Sequence, residues 1–436
     1  LEQLGWKRMP HCPGSFLKFC PITGLPQMLA NYVDDFAAVM TDESRANEWN
    51  ALAQSWKFDP PRRSERFLGI EMRYPDPKNL RCLELEQCGY LDVVIGRYEK
   101  ARGITVPPLM HLPADEPPWP EGLDSKGNHT GASAGSGKEC GTIVRQAIGG
   151  IAYAARGDRL DLMKAFHTLA RRVTKWDDEA EKFLKKVLGY CKHTLNKGLC
   201  MDATGTSRNP ADWRIDVSVD ASQGPKTSPW CQSGYLVALS PIRNADGSEV
   251  SLSEERPPFL AVDWVSNGQE YVKLAPAESE TVGMVQAARG GLKYKFAWDD
   301  ITELEEKLPM LVRVDNTQAK LFAERGWSPT MAHMSRVYGI NVLWITERIL
   351  EGWIKLHYEP TAMMLADPLT KMKGGEVFEK RGIMKTVIHE VESAKAEFDE
   401  NLKQNTVRAW SVKRFLGNML SVVTNYGSPL RSKKKK

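Results

Sequence analysis

The 436-residue sequence predicts an α/β (α+β) protein, and three stretches carry that expectation. WRIDVSVDAS alternates Ile215, Val217 and Val219 with Asp216, Ser218 and Asp220, the period-two pattern of a strand. APAESETVGMVQAARGG places Pro276 where a first helical turn tolerates it and Gly290-Gly291 near a helix end. LVRVDNTQAKLFAERG passes from a strand pattern directly into a helical one.

Taken from the beginning of the chain, Met28 to Val33 and Phe36 to Met40 are strand-like and flank the pair Asp34-Asp35, which falls at the tip of a hairpin. Asp42 to Trp56 reads as a helix, RFLGIEMRYP as a strand ending at Pro75, and LRCLELEQ as an alternating strand. QCGYLDVVIGRYEKARG is amphipathic. Residues 107 to 141 are dense in Pro, Gly and Ser and are expected to be a linker. Its GASAGSGKE is not a phosphate-binding loop, because Lys138 is followed by Glu139 and the first glycine is misplaced.

Two helical patterns follow, one through Leu160, Met163, Phe166, Leu169 and Val173, the other through Phe183, Val187, Cys191 and Leu195. From Trp213 strands take over, with SGYLVALS, PFLAVDWVS and INVLWIT as further strand-like runs. ADPLTK closes the series at Lys371, giving the order β-β-β-α-β-α-β-α. The expected divisions are 1–110, a linker at 111–140, a helical part at 141–212, an α/β unit at 213–372 and an extension with a basic tail at 373–436.

Hydrophobic residues make up 42% and charged residues 26%, the balance of a globular protein. No apolar run reaches about 18 residues and no signal-like segment opens the chain, so an intracellular location without membrane contact is expected, in a cytoplasmic particle or the nucleus. Eight cysteines without CxxC spacing argue against a structural zinc site. Residues 141 to 200 hold twelve Lys or Arg against six Asp or Glu, a local excess of six positive charges over a chain total of +4. Arg171, Arg172, Lys185 and Lys186 are therefore candidates for contact with a polyanion's phosphates.

Four acids stand at element ends: Asp220 after the first strand pattern, Glu278 in the first turn of the helix, Asp315 after LVRVD, and Asp367 before Pro368. Carboxylates converging from separate elements suit Mg²⁺ or Mn²⁺, which take oxygen ligands and keep waters. Two such ions support phosphodiester cleavage. Asp216 competes with Asp220, since the strand period puts both on one face.

YVDD at 32–35, FLGI at 67–70, VDN at 314–316 and ADPLTK at 366–371, in that order, resemble the Pol region of a copia-type LTR retrotransposon. DRLDL at 158–162 is similar to the family's TRPDL, and QCGYLDVVI to its Q-x-x-Y-I segment. The resemblance covers residues 1 to 372 and implies a C-terminal fragment: the end of a reverse transcriptase palm and thumb, a helical connection, and a ribonuclease H-like domain with a five-stranded mixed sheet. It implies that Asp34, with Asp35, belongs to a polymerase metal site whose other aspartate comes from an earlier strand. Residues 1 to 33 contain no Asp, so an incomplete polymerase site and a missing upstream segment as partner are expected. For the ribonuclease H part the resemblance implies Asp220, Glu278, Asp315 and Asp367 as ligands of Mg²⁺ or Mn²⁺ and an RNA:DNA hybrid as substrate. The chain departs from the pattern in having only His333 near the usual KHID-like stretch, and Pro276 where Ser is common. Two functions follow as expectations: an endonuclease cutting the RNA of a hybrid, or a silent remnant that binds single- or double-stranded nucleic acid.

Overall fold

The computed structural model describes residues 1–32, 35–57, 65–75, 81–118, 140–222, 231–250, 260–269, 275–331, 333–334, 342–372 and 388–390. These fall into two compact units, one built from Leu1–Gly69 and Lys293–Lys307, the other from Ile70–Leu292 and the described residues of Leu308–Asp399.

In the first unit β1 (Lys7–Arg8), β2 (Ser15–Phe19), β3 (Pro26–Tyr32) and β4 (Asp35–Val39) form an antiparallel sheet in sequence order. The predicted hairpin is present, with Tyr32 opposite Asp35. Helix α1 (Asp42–Ala53) follows Thr41, and Leu52 joins Trp6, Phe16 and Leu29 in a small core. Lys18 crosses to this helix with its ammonium 2.9 Å from Glu48 Oε2. The short strand β5 (Arg66–Phe67) follows.

The second unit opens with β6 (Ile70–Arg73), β7 (Cys82–Glu86) and α2 (Cys88–Arg102), then the helices α3 (Thr142–Gly157), α4 (Met163–Ala170) and α5 (Asp178–His193), and strand β8 (Lys197–Asp202). β7 pairs antiparallel with β6 and with β8, and β14 (Ile388–Glu390) adds to β8. Between α3 and α4 the DRLDL stretch turns inward: Arg159, fully buried, forks onto Asp161 at 2.8 and 3.0 Å and donates to the Thr194 carbonyl at 3.0 Å. Tyr190 completes the network by donating to Asp161 at 2.8 Å. A buried ion pair survives desolvation only when its remaining polar atoms are bonded, and here they are.

Part of the expected linker is packed. Leu109 N–H donates to Gly189 O at 3.0 Å, Glu116 pairs with Lys164 at 2.6 Å, and Leu112 is in the core. The rest of that stretch, 119–139, lies outside the described residues.

The remainder of this unit is a five-stranded mixed sheet with flanking helices, in the order β11 (Leu260–Gly268), β10 (Gln232–Pro241), β9 (Trp213–Ser222), β12 (Met310–Val314), β13 (Ile354–Tyr358). β10 runs antiparallel to both of its neighbours, β11 and β9, whereas β12 runs parallel to both β9 and β13. Helix α6 (Pro276–Thr302) begins against β9, and α7 (Thr317–Arg325) follows β12. Gly291 allows the close approach of α6: a Cβ there would stand 2.6 Å from Val217 Cγ2 and from Met310 Sδ.

One expected strand is a helix. INVLWIT contributes α8 (Leu343–Leu350), because Val342, Ile345 and Thr346 bury at helical spacing while Leu343 and Glu347 face solvent. The last strand is instead IKLHY, after the left-handed Gly352, so two helices precede it. Its alternation of buried Ile354 and Leu356 with exposed Lys355 is a strand's own signal. A final short helix, α9 (Asp367–Thr370), carries the ADPLTK segment. No helix among the described residues is long and apolar enough to cross a membrane.

Candidate metal centre

Strands β9 and β12 set the geometry. In their parallel register Leu311 lies beside Asp216, Val312 beside Val217 and Arg313 beside Ser218, a constant offset of 95. Continued by two residues, that offset brings Asp315 beside Asp220 at the same sheet edge. The third carboxylate comes from α6, where Glu280 Oε2 accepts the backbone N–H of Ala221 at 3.1 Å. Asp220, Glu280 and Asp315 each offer an oxygen, all within 4.8 Å of one another.

Helix α9 closes the other side of Asp220. It can do so because Gly234, opposite Asp220 on β10, has no side chain: a Cβ would stand 2.6 Å from Leu369 Cβ and 2.8 Å from Thr370 Cγ2. Ser222 Oγ donates to Thr370 O at 3.1 Å, and Ser266 Oγ donates to Leu369 O. Thr370 Oγ1 then donates to Asp220 Oδ2, while Lys371 Nζ lies 3.0 Å from Asp220 Oδ1 and 2.6 Å from Asp367 Oδ1. Thr361 Oγ1 donates to Asp315 Oδ2 at 2.8 Å.

The electrostatics follow from burial and crowding. Glu280, 9% exposed, is held well above the usual carboxylate range, first by burial and then by Asp220 and Asp315. Asp220, 1% exposed, is pushed up by burial, and Lys371 opposes the shift. Three carboxylates crowded together, two of them buried against ionisation, suit a hard divalent cation, which offers the positive charge their crowding lacks. The donor set is all oxygen, as Mg²⁺ and Mn²⁺ require.

Asp220 and Asp315 come together, but the helix acid beside them is Glu280 in place of Glu278. Two residues apart on a helix are about 200° apart around its axis, so the two glutamates cannot face the same way. Glu278 is buried at 3.0 Å from His333 Nε2. Asp367 reaches Asp220 through the shared Lys371 and is outside the three-acid group. Asp216, the competitor of Asp220, is paired with Arg313 at 2.8 Å. Asp34 lies outside the described residues, and Asp35 is the first residue of β4.

The four basic candidates differ. Arg172 is 2% exposed and turned inward, donating to Pro117 O at 3.0 Å, Pro118 O at 2.7 Å and Asp177 at 2.6 Å. It holds the 111–118 stretch and is not available to a phosphate. Arg171 donates to Gln232 Oε1 at 3.0 Å and is half-buried. Lys185 is half-buried and Lys186 exposed on α5.

No protein-family model matches the chain. Among solved structures, ribonuclease H1 from the halophilic archaeon Halobacterium salinarum is similar at 12% identity and a TM-score of 0.22, over 38% of this chain and 98% of that one. The foamy viral protease-reverse transcriptase, in complex with RNA/DNA hybrid, is similar at 13% identity and a TM-score of 0.39, over 78% of this chain. The match takes in 36% of that protein's length.

Proposed function

We propose that residues 213–372 hydrolyse the RNA strand of an RNA:DNA hybrid, as the nuclease part of a copia-type retrotransposon Pol protein, with Mg²⁺ or Mn²⁺ held by Asp220, Glu280 and Asp315 and with Asp367 alongside. The observation that carries this reading is the convergence of three carboxylates, from two parallel strands and a helix, to within 4.8 Å at one sheet edge. Bound divalent ions would supply an activated water and charge stabilisation at the leaving oxygen.

The chain's own residues do the positioning. Ala221 N–H orients Glu280, Thr370 orients Asp220 and Thr361 orients Asp315. Recognition of the RNA strand rests on its 2′-hydroxyls, which DNA lacks. The ordered run of YVDD, FLGI, VDN and ADPLTK supports the retrotransposon origin.

The test is gel analysis of a labelled hybrid incubated with the full chain. Cleavage is expected in Mg²⁺ or Mn²⁺ and none in EDTA. Asp315→Asn should lower the rate by about a hundredfold or more, the loss of a few kcal/mol of transition-state stabilisation. A folded wild type that binds hybrid and cuts it in neither metal would instead be the silent nucleic-acid-binding remnant.

A further inference from the structure

One ammonium is shared by two buried carboxylates beside the candidate centre. The Asp220 and Asp367 side chains are 1% and 3% exposed, whereas that of Lys371 is 30% exposed. The acids are therefore fixed and the lysine has a path outward. Asp220 is held by Thr370 on its other oxygen, and Asp367 is fixed at the start of α9 by the helix that Leu369 and Thr370 anchor to the sheet. Lys371 follows the last residue of that helix, one turn from Asp367, and its long stem has four rotatable bonds. Its single ammonium bridges two carboxylates, 3.0 Å from Asp220 Oδ1 and 2.6 Å from Asp367 Oδ1, a place where a divalent cation would carry twice the charge.

We propose that Lys371 is a built-in counter-ion occupying the place between Asp220 and Asp367 that a second divalent cation would take. The first cation, at Asp220, Glu280 and Asp315, then enters with the lysine in place, and the second enters only by displacing it. The lysine thus holds two buried carboxylates together before loading and sets the concentration at which the site becomes fully loaded. This rests on the reading of the three acids as a divalent-cation site.

The experiment is Mn²⁺ titration of the full 436-residue chain, with heat of binding and the electron paramagnetic resonance signal of free Mn²⁺ as readouts. Wild type is expected to take one Mn²⁺ and then a second about tenfold or more weakly. Lys371→Met should tighten the second event by about tenfold while leaving the first within about threefold, and Lys371→Arg should retain the wild-type pattern. Without metal, Lys371→Met should melt at a lower temperature than wild type and recover with Mn²⁺. A folded Lys371→Met protein whose second event is unchanged overturns the proposal, as does a wild type with two equal events. If wild type shows no Mn²⁺ binding that Asp315→Asn removes, the divalent-cation reading itself fails and this proposal fails with it.

Discussion

Arg313 grips Asp216 with two sides of its guanidinium: Nε lies 2.9 and 3.0 Å from the carboxylate oxygens and Nη2 lies 2.8 Å from Oδ2. Its Nη1 reaches Glu359 at 2.6 Å. Asp216 and Asp220 share one face of β9, yet one is committed to a buried cation and the other to the sheet edge. Asp216→Asn would leave Arg313 buried with half its compensation lost, at a cost of about 3–5 kcal/mol. Urea unfolding should show that loss in Asp216→Asn and a much smaller one, or a gain, in Asp220→Asn, whose charge the fold already disfavours.

Glu280 and Glu278 are distinguishable by function and by stability. Glu280→Gln should lower hybrid cleavage by about a hundredfold, while Glu278→Gln stays within about tenfold of wild type. In unfolded chain an ordinary Glu releases its proton near pH 4.3; in the fold, burial and two neighbouring acids hold that proton to higher pH. The resulting stability is complete below the ordinary value and is lost as pH rises through the raised one. In metal-free wild type the Glu280 contribution should therefore weaken from about pH 4.5 upward, against the opposite trend of any group whose pKa the fold lowers. Glu280→Gln should lack that decline and melt higher than wild type at pH 8. A melting curve in EDTA at several pH values measures it.

Asp220 and Asp315 were legible because each ends a β-run, and parallel neighbours that end together deliver their last side chains to one edge. Position in the first turn alone points to Glu278, whereas the face that the helix turns to the sheet selects Glu280. The signal was present: Gly283 faces Val219 and Ala221, and Gly291 faces Val217, so the contact face recurs every three to four residues and extends back to 280. The seven apolar-rich residues of INVLWIT fit a strand or a helical period equally at that length, and α8 is the helical solution. The inward turn of Arg172 depends on Pro117 and Pro118, 55 and 54 residues away, and only its ion pair with Asp177 is local.

His167 offers an acid-side test. It is pushed down to about 3 by burial first and by Arg171 and Lys164 next, and its Nε2 accepts the Gly268 N–H at 3.3 Å. The unfolded chain takes up that proton near pH 6.5 and the fold refuses it, so stability is complete above pH 6.5 and is lost as pH falls toward 3. His167→Gln should flatten this part of the profile. The urea midpoint measured from pH 7 to pH 4 should fall less steeply in the variant.

The basic helices should separate into binders and braces. Replacing Lys185 and Lys186 with Ala should weaken hybrid binding and reduce the slope of log affinity against log salt by about one to two. Arg172→Ala should instead lower the melting temperature by the loss of a buried charge pair, a cost of about 3–5 kcal/mol. A KCl titration followed by fluorescence anisotropy distinguishes the two, and an unchanged slope in the double lysine variant would remove α5 from the binding surface.

Helix α3 and strand β11 exchange hydrogen bonds: Arg156 donates to Trp264 O at 2.6 Å, and the Trp264 indole donates to Ala155 O at 2.7 Å. Around this joint Ile151, Leu184, Leu236, Ala238, Ala261, Trp264 and Leu369 bury in a single core. Among the described residues the helical segment and the sheet that carries the acids are therefore joined through one packed core. A hybrid gripped by α5 would be presented to the sheet edge at a fixed span. The cut would then be measured off from the grip as along a ruler, and its place would depend on length before it depended on base sequence.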